Sequence, residues 1–296
     1  MKGIDIMATI NFTKMQGAGN DYVYIDGAKN VIPEAIKPDV VRKLSDRHFG
    51  IGGDGVIFIN PIEGADFEME MYNADGSRAE MCGNGIRCVA KFVYDHGMTD
   101  KTKDLAISSF GRNRYLDLTV TNGKVSMVKV NMGAPILTPS QIPMDENKFH
   151  DKDKIVDYCI PIEDRNFRMT CVSMGNPHAV VFVGDNENLN SFPLEKYGRK
   201  FENHPYFPQR TNTEFVHVDD RKNVHMRVWE RGTGETLACG TGCCATAVAC
   251  ILNGLTDDEI TVHVLGGDII CRWDKESNNV YMTGPAVTVF EGNVEI

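Results

Sequence analysis

Cys82-Gly83-Asn84-Gly85 and Cys239-Gly240-Thr241-Gly242 are one motif written twice, each opening a helical stretch that a glycine closes, Gly97 in the first case and Gly254 in the second. An interval of 157 residues relates both the cysteines and the closing glycines, and it extends upstream, because Asn73 lies nine residues before Cys82 and Glu230 nine before Cys239. Around each motif the pattern reads strands, one helix, strands. In the first half, 21–26 and 56–60 are β-branched and aromatic runs, and 66–72 alternates apolar with acidic residues at period two. The helix covers 81–96, and 104–109, 114–120 and 124–131 follow as strands, with Phe110-Gly111 and Asn122-Gly123 as punctuation, the latter a hairpin turn signal. The second half repeats the order with strands at 179–183, 213–218 and 224–229, a helix over 238–252, and strands at 259–264, 269–273 and 280–283. A last strand over 286–296 has no counterpart there and is expected to return to the first domain. The reading is α+β, with two pseudo-symmetric domains, 1–130 completed by 284–296 and 131–283. Each is a curved, mostly antiparallel sheet or barrel around a central helix, and a catalytic cleft is expected between them.

The length of 296 residues suits two domains of roughly 150. With 42% apolar and 24% charged residues the chain falls outside disordered and fibrous classes. A formal charge of −10 with scattered basic residues argues against nucleic acid or an anionic membrane as partner. No apolar run approaches the ~20 residues of a spanning helix. Residues 1–10 lack the features of a secretory signal, and Met7 reads as an alternative start or the end of a short extension, so a cytoplasmic location is expected. Nine cysteines, an odd number, fit reduced thiols better than a disulfide framework. Cys88, Cys243, Cys244 and Cys250 read as core, and Cys159, Cys171 and Cys271 as structural. Cys239 with Cys243 and Cys244 lacks the histidine pair or knuckle of a zinc site, so no metal is expected. Neither a strand-linked GxGxxG nor a Walker motif is present, so no cofactor is expected either. The glycine-rich 50–55 reads as a tight turn lining the cleft.

A thiol at the first turn of a helix faces unpaired N–H groups and the positive end of the macrodipole, which favours thiolate. The following glycines leave the backbone open to a ligand, and the same N–H groups suit a carboxylate. Two such termini at one centre predict removal of a proton from one face of an α-carbon and its return on the other. Asn20, Asn73, Asn84, Asn176 and Asn212 supply neutral donors and acceptors, Arg231 a bidentate fork for a second carboxylate, and Glu230 an acceptor for an ammonium group. His178 and Glu230 are expected to tune the thiols, one beside each, so that one is thiolate while the other keeps its proton.

The stretches Gln16-Gly17-Ala18-Gly19-Asn20-Asp21, Tyr72-Asn73-Ala74-Asp75-Gly76, 81–88, Ser173-Met174-Gly175-Asn176-Pro177-His178, 230–242 and 281–286 resemble the diaminopimelate epimerase family, from about Asn11 to the C-terminus. The resemblance implies cofactor-independent interconversion of LL- and meso-diaminopimelate in lysine and peptidoglycan-precursor biosynthesis, with Cys82 and Cys239 as proton donor and acceptor that exchange roles. It carries substrate contacts onto Asn20, Asn73, Gly83, Asn84, Asn176, Asn212, Glu230, Arg231, Gly240 and Thr241, and thiol-adjusting roles onto His178 and Glu230. Tyr281 matches a position of dimer contact, implying a homodimer. Some members carry glutamine where this chain has Gly55 and serine where it has Thr241. Two other readings stay open. One is a related racemase acting on proline, hydroxyproline or histidine, of which a proline racemase would lack the Glu230-Arg231 pair. The other is a redox protein whose two thiols form a switch disulfide.

Overall fold

The computed structural model describes residues 9–79, 81–151, 153–184 and 186–296, so the expectations about a leader segment and Met7 lie outside the described residues. The chain forms two compact units, one made of the residues up to Val130 together with Pro285–Ile296, the other of Asn131–Gly284.

The first unit holds β1 (Thr9–Gly17), β2 (Asn20–Asp26), α1 (Lys37–Ser45), β3 (Gly55–Asn60), β4 (Phe67–Asn73), β5 (Arg78–Ala79), α2 (Gly83–Asp95), β6 (Leu105–Ser109), β7 (Arg112–Thr121) and β8 (Lys124–Gly133). The second holds β9 (Tyr158–Ile162), β10 (Arg165–Ser173), β11 (Pro177–Phe182), α3 (Leu194–Glu202), β12 (Asn212–Val218), β13 (Asn223–Glu230), β14 (Gly234–Thr236), α4 (Gly240–Leu252), β15 (Glu259–Val264), β16 (Gly267–Asp274) and β17 (Asn279–Pro285). The closing strand, β18 (Val287–Glu295), pairs antiparallel with β1, Thr9 opposite Glu295.

The repeat seen in the sequence is a repeat of topology. Along β1-β2-β3-β4-β6-β7-β8 the pairings run antiparallel, parallel, antiparallel, parallel, antiparallel, antiparallel. The series β10-β11-β12-β13-β15-β16-β17 runs in the same order. Helices α2 and α4 stand 157 residues apart at both ends. Gly97 and Gly254 follow them at φ +69°, the left-handed residue just past a helix end. Phe110 and Gly111, like Asn122 and Gly123, have positive φ at both positions, as a tight turn matched to strand twist requires.

Each unit has a second helix that the strand-helix-strand reading omits. Successive strand residues face opposite ways. Val23, Ile25, Val56 and Phe58 pack with Val40, Val41 and Leu44 of α1, while Tyr24 and Ile57, between them, approach Gly85 of α2. In the second unit Phe215 and Trp229 pack with Leu194, Tyr197 and Phe201 of α3, and Glu214, next to Phe215, approaches Gly242 of α4. Both outer helices are only nine residues long. Gly198 interrupts the apolar spacing of α3 because a Cβ there would lie 2.5 Å from Trp229 Cγ.

Glu70 anchors the first unit. Its buried carboxylate accepts from Lys37 Nζ at 2.8 Å, Asn60 Nδ2 at 2.6 Å, Tyr72 Oη at 2.9 Å and Arg78 Nη1 at 2.6 Å. Burial opposes its charge, but the bonds from Lys37, Asn60 and Tyr72 outweigh it and hold the carboxyl below its ordinary value. A depressed folded-state value gives stability that is present above the ordinary glutamate range and lost as pH falls through the folded value. Glu70→Gln, which leaves Lys37 with Glu34 as its remaining carboxylate partner, is expected to destabilise by about 1–3 kcal/mol near neutral pH. In urea melts the gap from the unaltered protein should close as the pH drops below about 4; a gap independent of pH would contradict this.

Candidate active site

Cys82 is the N-cap of α2, with extended backbone at φ −129° and ψ 116°, and its Sγ accepts the Gly85 amide. That bond spans 3.2 Å. A Cβ on Gly85 would lie 3.3 Å from Cys82 Cβ and 3.0 Å from Ile57 Cδ1, so the third position after the cysteine has little room for a side chain. The thiol donates to Asn20 Oδ1 at 3.0 Å, and Asn20 Nδ2 donates to Asp54 Oδ2 at 2.7 Å, which orients the amide. Asp54 also pairs with Arg47 at 3.0 Å. Asn73, at the end of β4, donates to Ser77 Oγ at 3.1 Å. Gly83 and Asn84 form the first turn of α2, with Asn84 buried.

Cys239 is the N-cap of α4 in the same extended conformation, φ −117° and ψ 109°. Its sulfur is buried and lies 3.4 Å from Thr241 Oγ1, with Gly240 and Thr241 forming the first helical turn. His178 on β11 and Glu214 on β12 stand beneath it. His178 Nδ1 is 2.7 Å from Glu214 Oε1, and Nε2 is 3.0 Å from Asn176 Oδ1. The His178 ring nitrogen, the Glu214 oxygen and Cys239 Sγ lie within 4.8 Å of one another. Glu230, at the end of β13, accepts from the Thr236 hydroxyl and hydrogen-bonds the Cys239 thiol. Asn212 Oδ1 accepts the Arg231 amide at 2.9 Å, and Arg231 Nη1 donates to Gln209 O at 3.0 Å. Tyr281 lies on β17 opposite Arg272, partly buried.

The two sulfurs share a backbone setting and differ in charge setting. Burial pushes the Cys239 thiol well above its ordinary value, and the Glu230 and Glu214 carboxylates push it further, against weaker pulls from Thr241 and the Gly242 amide. Burial likewise raises Glu230, against the bonds from Thr236 and Cys239. His178 and Glu230 both stand within reach of Cys239.

Glu214 is the residue that sequence reading passes over. Its signal is an acid inside the otherwise uncharged run Asn212-Thr213-Glu214-Phe215-Val216, 157 residues beyond Ile57. Cys88, Cys171, Cys243, Cys244, Cys250 and Cys271 are buried, and Cys159 is exposed on β9. A cavity of about 730 Å³ in the second unit, walled by His217, His225, Arg227, His263 and Asp268 among others, contains none of the motif residues. No described helix is long and apolar enough to cross a membrane.

The family profile described as diaminopimelate epimerase matches residues 12–138 and 170–289. A diaminopimelate epimerase of Agathobacter rectalis is 53% identical over 290 residues, covering 97% of this chain and 100% of the relative. One from Acetivibrio thermocellus is 52% identical over 287 residues, covering 97% and 99%. Among solved structures, a phenazine biosynthesis protein of the PhzF family from Bacillus anthracis matches with a TM-score of 0.70 at 18% identity, covering 98% of this chain and all of the other. A hydroxyproline epimerase from Agrobacterium vitis matches at 0.67 and 16% identity, covering 97% and 91%. These distant structures share the fold, whereas the close relatives match nearly the whole chain and the profile most of it, and the chain belongs to the diaminopimelate epimerase family.

Proposed function

We propose that the protein interconverts LL- and meso-diaminopimelate by two-base proton transfer between Cys82 and Cys239, in lysine and peptidoglycan-precursor biosynthesis. The observation that carries the reading is the pair of N-cap cysteines with matched backbone and unmatched charge. Where Cys239 meets Glu230 and Glu214, the positions 157 residues earlier are Asn73 and Ile57. Cys82 is half-buried and receives the Gly85 amide, which suits it to take the α-proton. Cys239, kept protonated by its surroundings, returns a proton on the other face. In the reverse direction the roles exchange, and the Asp54-oriented Asn20 positions the S–H of Cys82 for donation.

The first-turn amides of α2 and α4, at Gly83, Asn84, Gly240 and Thr241, suit the substrate's reacting carboxylate and the enolate-like charge that develops from it. Arg231, with the five donors of its guanidinium, suits the distal carboxylate, while Glu230 and the asparagines Asn73, Asn176 and Asn212 suit the ammonium groups. Removal of an α-proton this way needs no bound cofactor. A homodimer with Tyr281 at the contact and a cytoplasmic location complete the proposal.

The reaction is tested by α-proton exchange in deuterated buffer under reducing conditions, with LL-diaminopimelate beside proline, histidine, glutamate and lysine. Exchange with inversion confined to diaminopimelate is expected; exchange on another amino acid alone would contradict the substrate. Cys82→Ala or Cys239→Ala should suppress inversion by several orders of magnitude, and near-normal turnover in either would remove that thiol from the mechanism. Arg231→Met should weaken kcat/KM for diaminopimelate far more than thermal stability, and an unchanged kcat/KM would remove the distal-carboxylate role. Because the Cys239 thiol is raised, iodoacetamide near neutral pH should label Cys82 first, with Cys239 catching up as pH increases. Peptide mass mapping reads the order, and the reverse order would contradict the charge assignment.

A further inference from the structure

The interval that relates the two motifs also pairs the residues beneath each helix start. Ile57 on β3 and Glu214 on β12 occupy equivalent strands, and each approaches the glycine three residues after its cysteine. A Cβ on Gly85 would lie 3.0 Å from Ile57 Cδ1, and one on Gly242 would lie 2.6 Å from Glu214 Oε1. The architecture therefore accepts isoleucine here, and packing alone does not call for a carboxylate. Burying one is unfavourable unless it is fully paired. Glu214 and His178 are both 0% exposed, and Glu214 Oε2 has no hydrogen-bond partner among the described residues. A buried carboxylate with one oxygen unpartnered, where the other half keeps an apolar side chain, points to chemistry. His178 Nδ1 meets Glu214 Oε1 and Nε2 meets Asn176 Oδ1, so the carboxylate and the amide hold the ring from both sides.

We infer that Glu214 is a positioning residue for Cys239: it locks the His178 ring and fixes a negative charge beside the sulfur, so that Cys239 rests as the proton donor of the pair. The inference rests on the two-base reading above and adds a residue that sets which thiol starts in which role. The groups that face Cys239 are Glu214 from β12, His178 from β11, Glu230 from β13, and Thr241 with the Gly242 amide from α4 among the described residues. The upward push that burial, Glu230 and Glu214 exert on the thiol agrees with it.

The test reads sulfur chemistry without substrate. In a Cys82→Ser background, the rate at which iodoacetamide alkylates Cys239 is followed against pH by peptide mass mapping, with and without Glu214→Gln. Glutamine keeps the size and a hydrogen bond to the ring but removes the charge. The inflection is expected to move to lower pH, giving about tenfold faster labelling on the rising part of the profile, the change that one unit of pKa produces. An inflection unmoved or moved upward, with the melting temperature preserved, would overturn the inference. Glu214→Ile, the side chain that the first half carries, should give the same shift and is the variant to use if glutamine does not fold. A shift in labelling together with no exchange on diaminopimelate would overturn the proposed reaction and leave Glu214's hold on Cys239 standing.

Discussion

The start of a helix that opens with cysteine is the constraint on which everything else turns. A cysteine in extended conformation, followed by residues in the α region, brings its sulfur back over the first-turn amides, as the 3.2 Å contact from Gly85 to Cys82 records. That geometry leaves little room at the third following position. In one half the neighbour is Ile57, in the other Glu214, and in both the answer is glycine. The glycines that look like a flexible loop in the sequence are thus demanded by close approach of strand and helix, and the same openness leaves amides available to a carboxylate.

A helix start held this tightly needs a sheet that is itself fixed on both faces. Strands β2 and β3 present Tyr24 and Ile57 to α2 and the intervening Val23, Ile25, Val56 and Phe58 to α1. Glu70 ties α1 to β4 through Lys37. In the second unit an aromatic cluster does the equivalent work, with Phe167, Phe192, Tyr197, Phe201 and Phe215 in edge and tilted contacts between β10, β12 and α3. The outer layer thereby sets the strand positions, and the strand positions set what lies beneath each sulfur.

Duplication and divergence account for how much of this is legible in the sequence. The interval of 157 residues shows the central helices, the strands flanking them and the two thiols, because backbone requirements were kept in both halves. The outer helices are harder to see, since α1 and α3 are a few turns long and Gly198 interrupts the apolar spacing. Their indirect trace is the unbroken apolar run Val56-Ile57-Phe58-Ile59, which a strand shows only when both faces are covered. Strands β1 and β10 pass unnoticed for a related reason: charged residues such as Lys14 and Arg168 sit within them, Lys14 paired with Asp21 and Arg168 with Asp157; β9 is hidden by Pro161 inside a five-residue strand. At the site, residue type announces the asparagines, Arg231 and the cysteines. Which carboxylates surround Cys239 depends on strand register, and that is why Glu214 is silent in the sequence.

The central claim is that two thiols, alike in backbone and unlike in charge, divide the removal and return of one proton. Deuterium incorporation at early times, starting from LL-diaminopimelate in deuterated buffer, tests it most directly. With two bases, the inverted product should carry solvent deuterium at the reacting α-carbon while the recovered substrate stays unlabelled. Equal early labelling of substrate and product would mean that one base serves both faces, and would contradict the account.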